Sequence, residues 1–534
     1  MSLRKTLKQR AKDEVFDVAI IGGGINGAVA AAALAARGVR TVLVEKKDFA
    51  SYTSQESSNL AWGGIKYLES YEFGLVWGLC RSRNRLLSAF PSQVKEIRFS
   101  AVLPKVFRKP RFLVYLGSWL YWIMGRGFTE RPRALNRRDL ATELPLVNLE
   151  ETNGGVEYSD AYFIDNDSRF VFKFIRKAID YGAVTLNYTK LSSGSFDKDT
   201  WTLLVQDQID QQKLEIKAKA VVNATGPFAD EICQMLSLKT NFKHIFSKGI
   251  HLIVPQLTGV TRVLTFFASD GRMFFVIPMG PRSCIGTTDT PVKTLPATVT
   301  MEDREFVLNN INRLLNLTKP LTKEDVIAER CGVRPLVTER GGPDETDDWL
   351  KLSRKHEMSI DRSKHALTIY GGKLTDCINV GEEVCDIVRQ FSVSLPKEDA
   401  DWFGEPSQAV KDEYFKQARA MQLDNFTASS SSEPLSLRLW RRYGLRALEI
   451  LEDIRQDKRM GDLLIEGAEY IRAELHYAAK SELIVTLEDF LRRRSKIALV
   501  KDRESIRNAP GMLEACKILF GEPSEQKFNE YFIR

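Results

Sequence analysis

The sequence predicts an α/β chain: a sheet domain assembled from discontinuous segments, a mixed-sheet α+β domain inserted between them, and a helical domain at the C-terminus. Three observations predict it. A strand, a glycine-rich turn, a helix and a second strand follow one another from Phe16 to Glu45. Strand, turn and helix patterns return near 221 and 366 after long insertions of different texture, and amphipathic helices fill the chain beyond about Asp399.

The first segment opens with FDVAII, a short apolar run of strand character, followed by GGGING and then AVAAAALAARG, a small-residue helix ending at Gly38. VRTVLVE is the second strand. Gly22, Gly24 and Gly27 supply G-x-G-x-x-G straight after a strand and at a helix start. A tight turn, close approach of backbone to a diphosphate and close helix packing all exclude a Cβ there. The diphosphate sits where unpaired N–H groups and the helix dipole favour anions. Glu45, about 20 residues on, stands where a carboxylate bonds ribose hydroxyls. This is a Rossmann-like unit, which FAD and NAD would satisfy equally.

From 96 to 168 the texture changes to mixed strands and aromatic-rich segments, including FLVYLGSWLYWIM at 112–124. Those 13 residues fall short of the ~20 that span a bilayer. The α/β pattern returns over 169–240, with a helix near RFVFKFIRKAIDYG, a hairpin-like stretch through TWTLLVQ and LEIKAKA, and the strand VVNATG. Strand signals dominate 241–361, as in HLIVP, MFFVIP and SCIGTTD. ALTIYGGKLTDCINVGEEVCDIV, within 362–398, reads as strand, Gly-Gly turn and helix. The expected partition is a dinucleotide domain from 15–95, 169–240 and 362–398, a substrate domain from 96–168 and 241–361, and a helical domain over 399–534, entered near the SSSSEP linker.

The choice of flavin rests on two later stretches. VVNATGPFAD ends a strand in small residues, so Ala224, Thr225 and Gly226 let it pass close beside a bound dinucleotide. YGGKLTD sets a second Gly-Gly turn, Gly371 and Gly372, before a helix, where amides stabilise charge on the N1/O2 side of a reduced flavin. A nicotinamide dehydrogenase has no use for that second turn.

Composition bounds the rest. At 534 residues, 43% hydrophobic and 28% charged, the chain has room for roughly three or four globular units of about 150 residues. The cysteines, Cys80, Cys233, Cys284, Cys331, Cys377, Cys385 and Cys516, form no CxxC, which argues against a disulfide framework or a zinc site and for a reducing cytoplasm. MSLRKTLKQRAKDE lacks the apolar core of an export signal. A net charge of +7 without a nucleic-acid-binding motif excludes nucleic acid as the expected partner and suits an anionic small molecule or lipid surface.

Taken together, GGGINGAVAAAALAARGV, EKKDFASYTSQESSNL with GGIKYLE, KGIHLIVP, RMFFVIP with IGTTDT, CGVRPLV, YGGKLT and TLEDFLRRRSK resemble the FAD-dependent glycerol-3-phosphate dehydrogenases, of the glycine/D-amino-acid oxidase superfamily. The resemblance covers nearly the whole chain. It implies hydride transfer from C2 of sn-glycerol 3-phosphate to flavin N5, giving dihydroxyacetone phosphate, with electrons passed to a quinone. It places Thr53, Ser54, Ser58, Trp62, Gly63, Gly64, Leu374 and Thr375 along FAD with the glycines above, and His251, Arg334, Lys373, Lys66, Tyr67 and Arg354 around the substrate. A phosphate dianion calls for two or three cationic donors. Removal of the C2 hydroxyl proton calls for a base of near-neutral pKa, a role that falls to His251, with Arg334 or Lys373 stabilising the substrate oxygen. No metal is implied. Taken singly, His251 reads as a core histidine, Arg334 as a loop anchor and Lys373 as a solvated cation.

Two departures bear on the substrate. Family members read His-Gly-Gly-x-Arg-Tyr where this chain has Trp62-Gly63-Gly64-Ile65-Lys66-Tyr67, so a bidentate phosphate ligand becomes a point charge. The family's Thr-Tyr-Arg after GGKLT is Asp376-Cys377-Ile378, and an acid near the flavin opposes negative charge there unless it points away. Two other functions therefore stand beside the first: a related FAD oxidoreductase acting on another hydroxy acid, polyol phosphate or amine, and a non-catalytic flavin-binding scaffold. PKVFRKPR before FLVYLGSWLYWIM reads either as a basic and aromatic contact with the cytoplasmic face of the inner membrane or as a solvated loop before a buried helix. A second copy of the chain is a further candidate partner.

Overall fold

The computed structural model describes residues 2–341, 355–429 and 431–533. The basic N-terminus is a helix, Leu3–Asp13, that buries Leu7 and Ala11, and its Arg4 pairs with Asp207 at 3.0 Å.

The first sheet has five parallel strands at its centre, in the order Ala366–Tyr370, Lys213–Asn223, Val15–Ile21, Thr41–Val44 and Val184–Leu186. Glu357–Asp361 adds an antiparallel edge beside Ala366–Tyr370. Apolar residues fill both faces of these strands because helices cover both sides. The helix Ile25–Ala36 is buried at every position, packed by Asp167–Asp180 and Cys377–Arg389, which is why it is written largely in alanine. LEIKAKA and VVN, expected as separate strands, are one strand, Lys213–Asn223. Its first half also pairs antiparallel with Thr200–Asp207, so the hairpin of Thr189–Asp197 and Thr200–Asp207 joins the same sheet. The segments that build this sheet come from before, between and after the insertions, but the bounds differ from those expected: Glu357–Asp361, expected in the substrate domain, joins this sheet, and Leu60–Ala61, expected in the dinucleotide domain, joins the second.

The second sheet has ten strands. Its longest ladder sets Phe242–Pro255 antiparallel to Ala328–Glu339, in register from Phe242↔Glu339 to Ile253↔Ala328. Alternation turns Ile250, Leu252 and Val254 into a core that also holds Val307 and Ile311 of the helix Met301–Leu314. The same alternation turns Gly249 and His251 to the other face, which looks onto a cavity.

FLVYLGSWLYWIM lies in a helix, Arg111–Met124, that is not a buried one. Ser118, Tyr121 and Met124 are covered, whereas Phe112, Leu113, Leu116, Leu120 and Ile123 are exposed on the opposite face. No helix among the described residues is long and apolar enough to cross a membrane.

The remainder is helical, as predicted, with its own cores around Ile450 and Leu475. One turn of it, the π-helix Asp489–Arg494, projects three consecutive buried arginines into the first domain. Arg493 and Arg494 both reach the buried Asp48, at 2.8 and 2.7 Å. Arg492 donates to the carbonyl of Gln55 at 2.9 Å and to Glu56 at 3.1 Å.

Candidate active site

The turn after Val15–Ile21 is shaped for close approach. Gly22 has φ +104°, and a Cβ there would lie 2.6 Å from the Ala224 carbonyl oxygen; one on Gly27 would lie 1.9 Å from the carbonyl oxygen of Gly22. Only glycine lets the helix start sit this tightly on the turn and on the neighbouring strand end. Glu45 is buried and its carboxylate accepts from Gly23 N at 2.8 Å and Lys47 N at 2.9 Å, so it braces the turn while its remaining lone pairs stay available. Burial pushes its pKa up. Ser54 Oγ accepts from Ile25 N at 3.0 Å, placing a hydroxyl at the helix N-terminus beside Gly24. Thr225 and Gly226 follow Ala224, and the space beside Gly226, at φ +56°, is open. Nothing in this cradle conflicts with an adenine dinucleotide.

Next to it a cavity of about 350 Å³ opens between the two sheets. Of the residues expected from sequence, Thr53, Ser54, Ser58, Trp62, Lys66, Tyr67, His251, Arg334, Gly372, Lys373, Leu374 and Thr375 line it. Gly22, Gly24, Gly27, Glu45, Gly63, Gly64, Ala224, Thr225, Gly226 and Gly371 stand behind or beside it as backbone supports. Gly63 N is held by the buried Asp160 at 3.0 Å, which also pairs with Arg83 at 3.0 Å. Gly371 and Gly372 have φ of +64° and +103° and carry the chain past Asn26, whose side chain donates to the Gly371 carbonyl at 3.1 Å. Arg354 lies outside the described residues.

The cavity is cationic. Lys66, Arg272, Arg334, Lys355 and Lys373 line it against Glu56 and Asp289. Arg334 pairs with Asp289 at 2.9 Å and donates to Thr287 Oγ1 at 3.2 Å, so it anchors a loop and faces the cavity at once. Lys373 does not simply reach solvent: its Nζ donates to the Tyr67 hydroxyl at 2.9 Å and lies 4.3 Å from that ring's centroid. Trp62 packs on Tyr67 with centroids 5.7 Å apart, forming wall.

His251 departs from expectation in its acidity. It is buried, and burial, with Arg330 and Arg334 nearby, holds its pKa at about 3 instead of near neutrality. Its Nδ1 has no hydrogen-bond partner among the described residues. The Asp376 concern is answered by geometry. The carboxylate is taken by Ser82 Oγ and Asn379 Nδ2, each at 2.6 Å, and by an ion pair to His356 at 3.0 Å.

Sequence reasoning missed Arg272, Asp289, Arg330 and His356. Arg330 is fully buried, opposite His251 in register, and donates to the Ser57 carbonyl and to Asn59. Its spacing from Arg334, two strand periods, puts both on one face and was the available signal. Arg272 and Asp289 stand just before the strands Met273–Met279 and Thr290–Val292, within RMFFVIP and IGTTDT, where nothing local marks them as cavity residues.

Residues 17–362 match the FAD dependent oxidoreductase family, and 411–527 match the C-terminal domain of alpha-glycerophosphate oxidase. The aerobic glycerol-3-phosphate dehydrogenase of Staphylococcus aureus (strain USA300) is 30% identical over 509 residues, 92% of this chain and 88% of that one. Among solved structures, the glycerol-3-phosphate dehydrogenase from Bacillus halodurans complexed with FAD superposes with a TM-score of 0.73 at 24% identity, covering 99% of this chain and 96% of its own. The L-alpha-glycerophosphate oxidase from Mycoplasma pneumoniae with FAD bound gives 0.55 at 16%, covering 73% and 97%. With both parts matched in order along the chain, this protein belongs to the FAD-dependent glycerol-3-phosphate dehydrogenase family.

Proposed function

We propose that the chain oxidises sn-glycerol 3-phosphate to dihydroxyacetone phosphate with FAD and passes the electrons to a quinone. The observation that carries this reading is a single cavity, beside the dinucleotide cradle, whose walls present His251, Arg334, Lys373 and Lys66 together. Bound FAD supplies the acceptor for the hydride leaving substrate C2.

The chain's residues supply the rest. Lys66, Lys373 and Arg334, with Arg354 from outside the described residues, hold the phosphate and the C2 oxygen, and Tyr67 fixes the Lys373 ammonium. His251 takes the hydroxyl proton. In the cavity it is a neutral imidazole, the form that can accept a proton; burial chiefly makes it a weak base, and the incoming dianion offsets the further effect of Arg330 and Arg334. Thr53, Ser54, Ser58, Leu374 and Thr375, which line the same cavity, would meet the flavin.

The exposed apolar face of Arg111–Met124, preceded by Arg108, Lys109 and Arg111, supports peripheral contact with an anionic membrane, where a quinone is found. Lys66 in place of arginine keeps a second reading in view, a flavoenzyme acting on another polyol phosphate, hydroxy acid or amine. Anaerobic mixing tests the first: sn-glycerol 3-phosphate bleaches the bound flavin and glycerol does not. Bleaching by a different substrate alone would establish the second reading, and a flavin that no substrate reduces would mark a scaffold.

A further inference from the structure

His356 is an imidazole with two carboxylates on it. Its Nδ1 lies 3.0 Å from Asp376 and its Nε2 lies 2.9 Å from Glu383, while the side chain is 3% exposed. It stands just before the edge strand Glu357–Asp361, whose register pairs Glu357 with Tyr370 and so brings His356 alongside Gly371 and Gly372. A Cβ on Gly372 would lie 3.5 Å from the His356 Cβ. Lys355, the preceding residue, lines the cavity, so the strand end alternates between cavity and flank.

Asp376 stands at the N-cap position of the helix Cys377–Arg389, next to the Gly371–Gly372–Lys373 turn, with no hydrogen bond from the helix amides to its side chain. A carboxylate at that place cancels the positive end of the helix that would otherwise favour negative charge on a reduced flavin. From the helix Phe73–Ala89, Ser82 binds Asp376 and Arg85 reaches Asn379 at 3.2 Å, so His356 is the positive charge in direct ion-pair contact with Asp376 among the described residues.

We infer that His356 and Asp376 are a charge-compensating pair that sets the reduction potential of the flavin at the Gly371–Gly372 turn, with His356 a positioning residue that acts through Asp376. The two carboxylates hold the imidazole cationic, its pKa raised to about 9 despite burial. The inference rests on the FAD reading above.

Potentiometric titration of the flavin-loaded protein tests it. His356→Gln leaves Asp376 uncompensated and makes reduction harder, with an expected roughly tenfold fall in the two-electron equilibrium constant, about 30 mV. Asp376→Asn removes the opposing charge while His356 remains paired with Glu383, and shifts the potential the other way. The double variant returns toward the parent. A purely structural role would lower thermal stability without producing opposite shifts or mutual rescue. Potentials that coincide across the flavin-loaded set, or move in the same direction in both single variants, would overturn the pair. The visible spectrum separates this from failure of the underlying reading: a protein that holds no flavin rejects the cofactor, whereas bound flavin of unmoved potential rejects only the inference.

Discussion

At Lys66 an ammonium stands exposed at the cavity wall, with no hydrogen bond or ion pair of its side chain among the described residues. A guanidinium there offers two parallel donors to a phosphate in place of one point charge. Lys66→Arg is expected to lower KM for sn-glycerol 3-phosphate about tenfold, ~1.4 kcal/mol, in steady-state assays; unchanged KM would move the phosphate elsewhere. His251→Asn is expected to keep the flavin while slowing its reduction by substrate roughly 10²–10⁴-fold, read by anaerobic stopped flow. A variant that reduces at the parent rate removes His251 from the proton path. His356 gives a pH signature. Its pKa rises from an ordinary 6.5 to about 9, so its stabilisation is full below 6.5 and lost as pH rises through 9. Asp376 is held below the usual carboxylate range of 3.8, so its share is present above that value and lost on acidification. The unfolding free energy of the parent should exceed that of His356→Gln by on the order of 2 kcal/mol near pH 6, and the gap should close by pH 10. A gap independent of pH would show that the ion pair is not its source.

At the scale of elements, the helix Arg111–Met124 presents Phe112, Leu116 and Ile123 at 66%, 46% and 58% exposure. Their spacing puts them on one stripe, and each apolar side chain that enters an interface contributes about 1.5–3 kcal/mol. Leu116→Glu with Leu120→Glu should cut sedimentation with anionic vesicles at least tenfold and leave turnover with a soluble dye acceptor unchanged. Parent-like sedimentation would locate the membrane face elsewhere. The same helix marks a limit of the sequence. Its largely apolar 13-residue run was legible, but whether it is covered depends on what packs over it, and a one-dimensional pattern does not carry that. The turn Gly22–Gly27 was fully legible because strand, turn and helix lie within one continuous stretch. Arg330 and His356 were not. Each becomes functional only through register, Arg330 by facing His251 and His356 by facing the Gly371–Gly372 turn, and register is set by partners far along the chain. The low basicity of His251 was not legible for a related reason: burial, the larger cause, and the nearby Arg330 and Arg334 all disfavour the imidazolium, and both are tertiary properties.

Across the whole molecule, the helical domain is tied to the cofactor loop by charge. Asp48 is fully buried and receives Arg493, Arg494 and Asn187, the last at 2.9 Å, with its carboxyl held below the usual range by the two guanidiniums against the cost of burial. Removing one partner of such a set strands the others without solvent, typically at about 3–5 kcal/mol. Asp48→Asn should lower the unfolding temperature and release flavin more readily, followed by calorimetry and by flavin fluorescence. Unaltered melting would mean the contact is incidental. Glu56, held by Arg492, also gives its carboxylate to Cys331 N at 3.2 Å, on the strand that carries Arg334. Loop, strand and helical domain thus meet at one carboxylate on the cavity wall. The match of the two family regions in order along the chain fits this contact, since Arg492 of the second region holds Glu56 on the cavity wall formed by the first.

The position of those arginines has a bearing on biosynthesis. The glycine turn leaves the ribosome well before Asp489–Arg494, which is made more than four hundred residues later. At ordinary elongation rates of about 5–20 residues per second, the loop carrying Thr53 and Ser54 exists for tens of seconds without the groups that pin it. Capture of the cofactor is therefore expected only once Asp489–Arg494 has been made. Nascent chains arrested before Asp489 should fail to retain flavin even with the whole nucleotide cradle already synthesised.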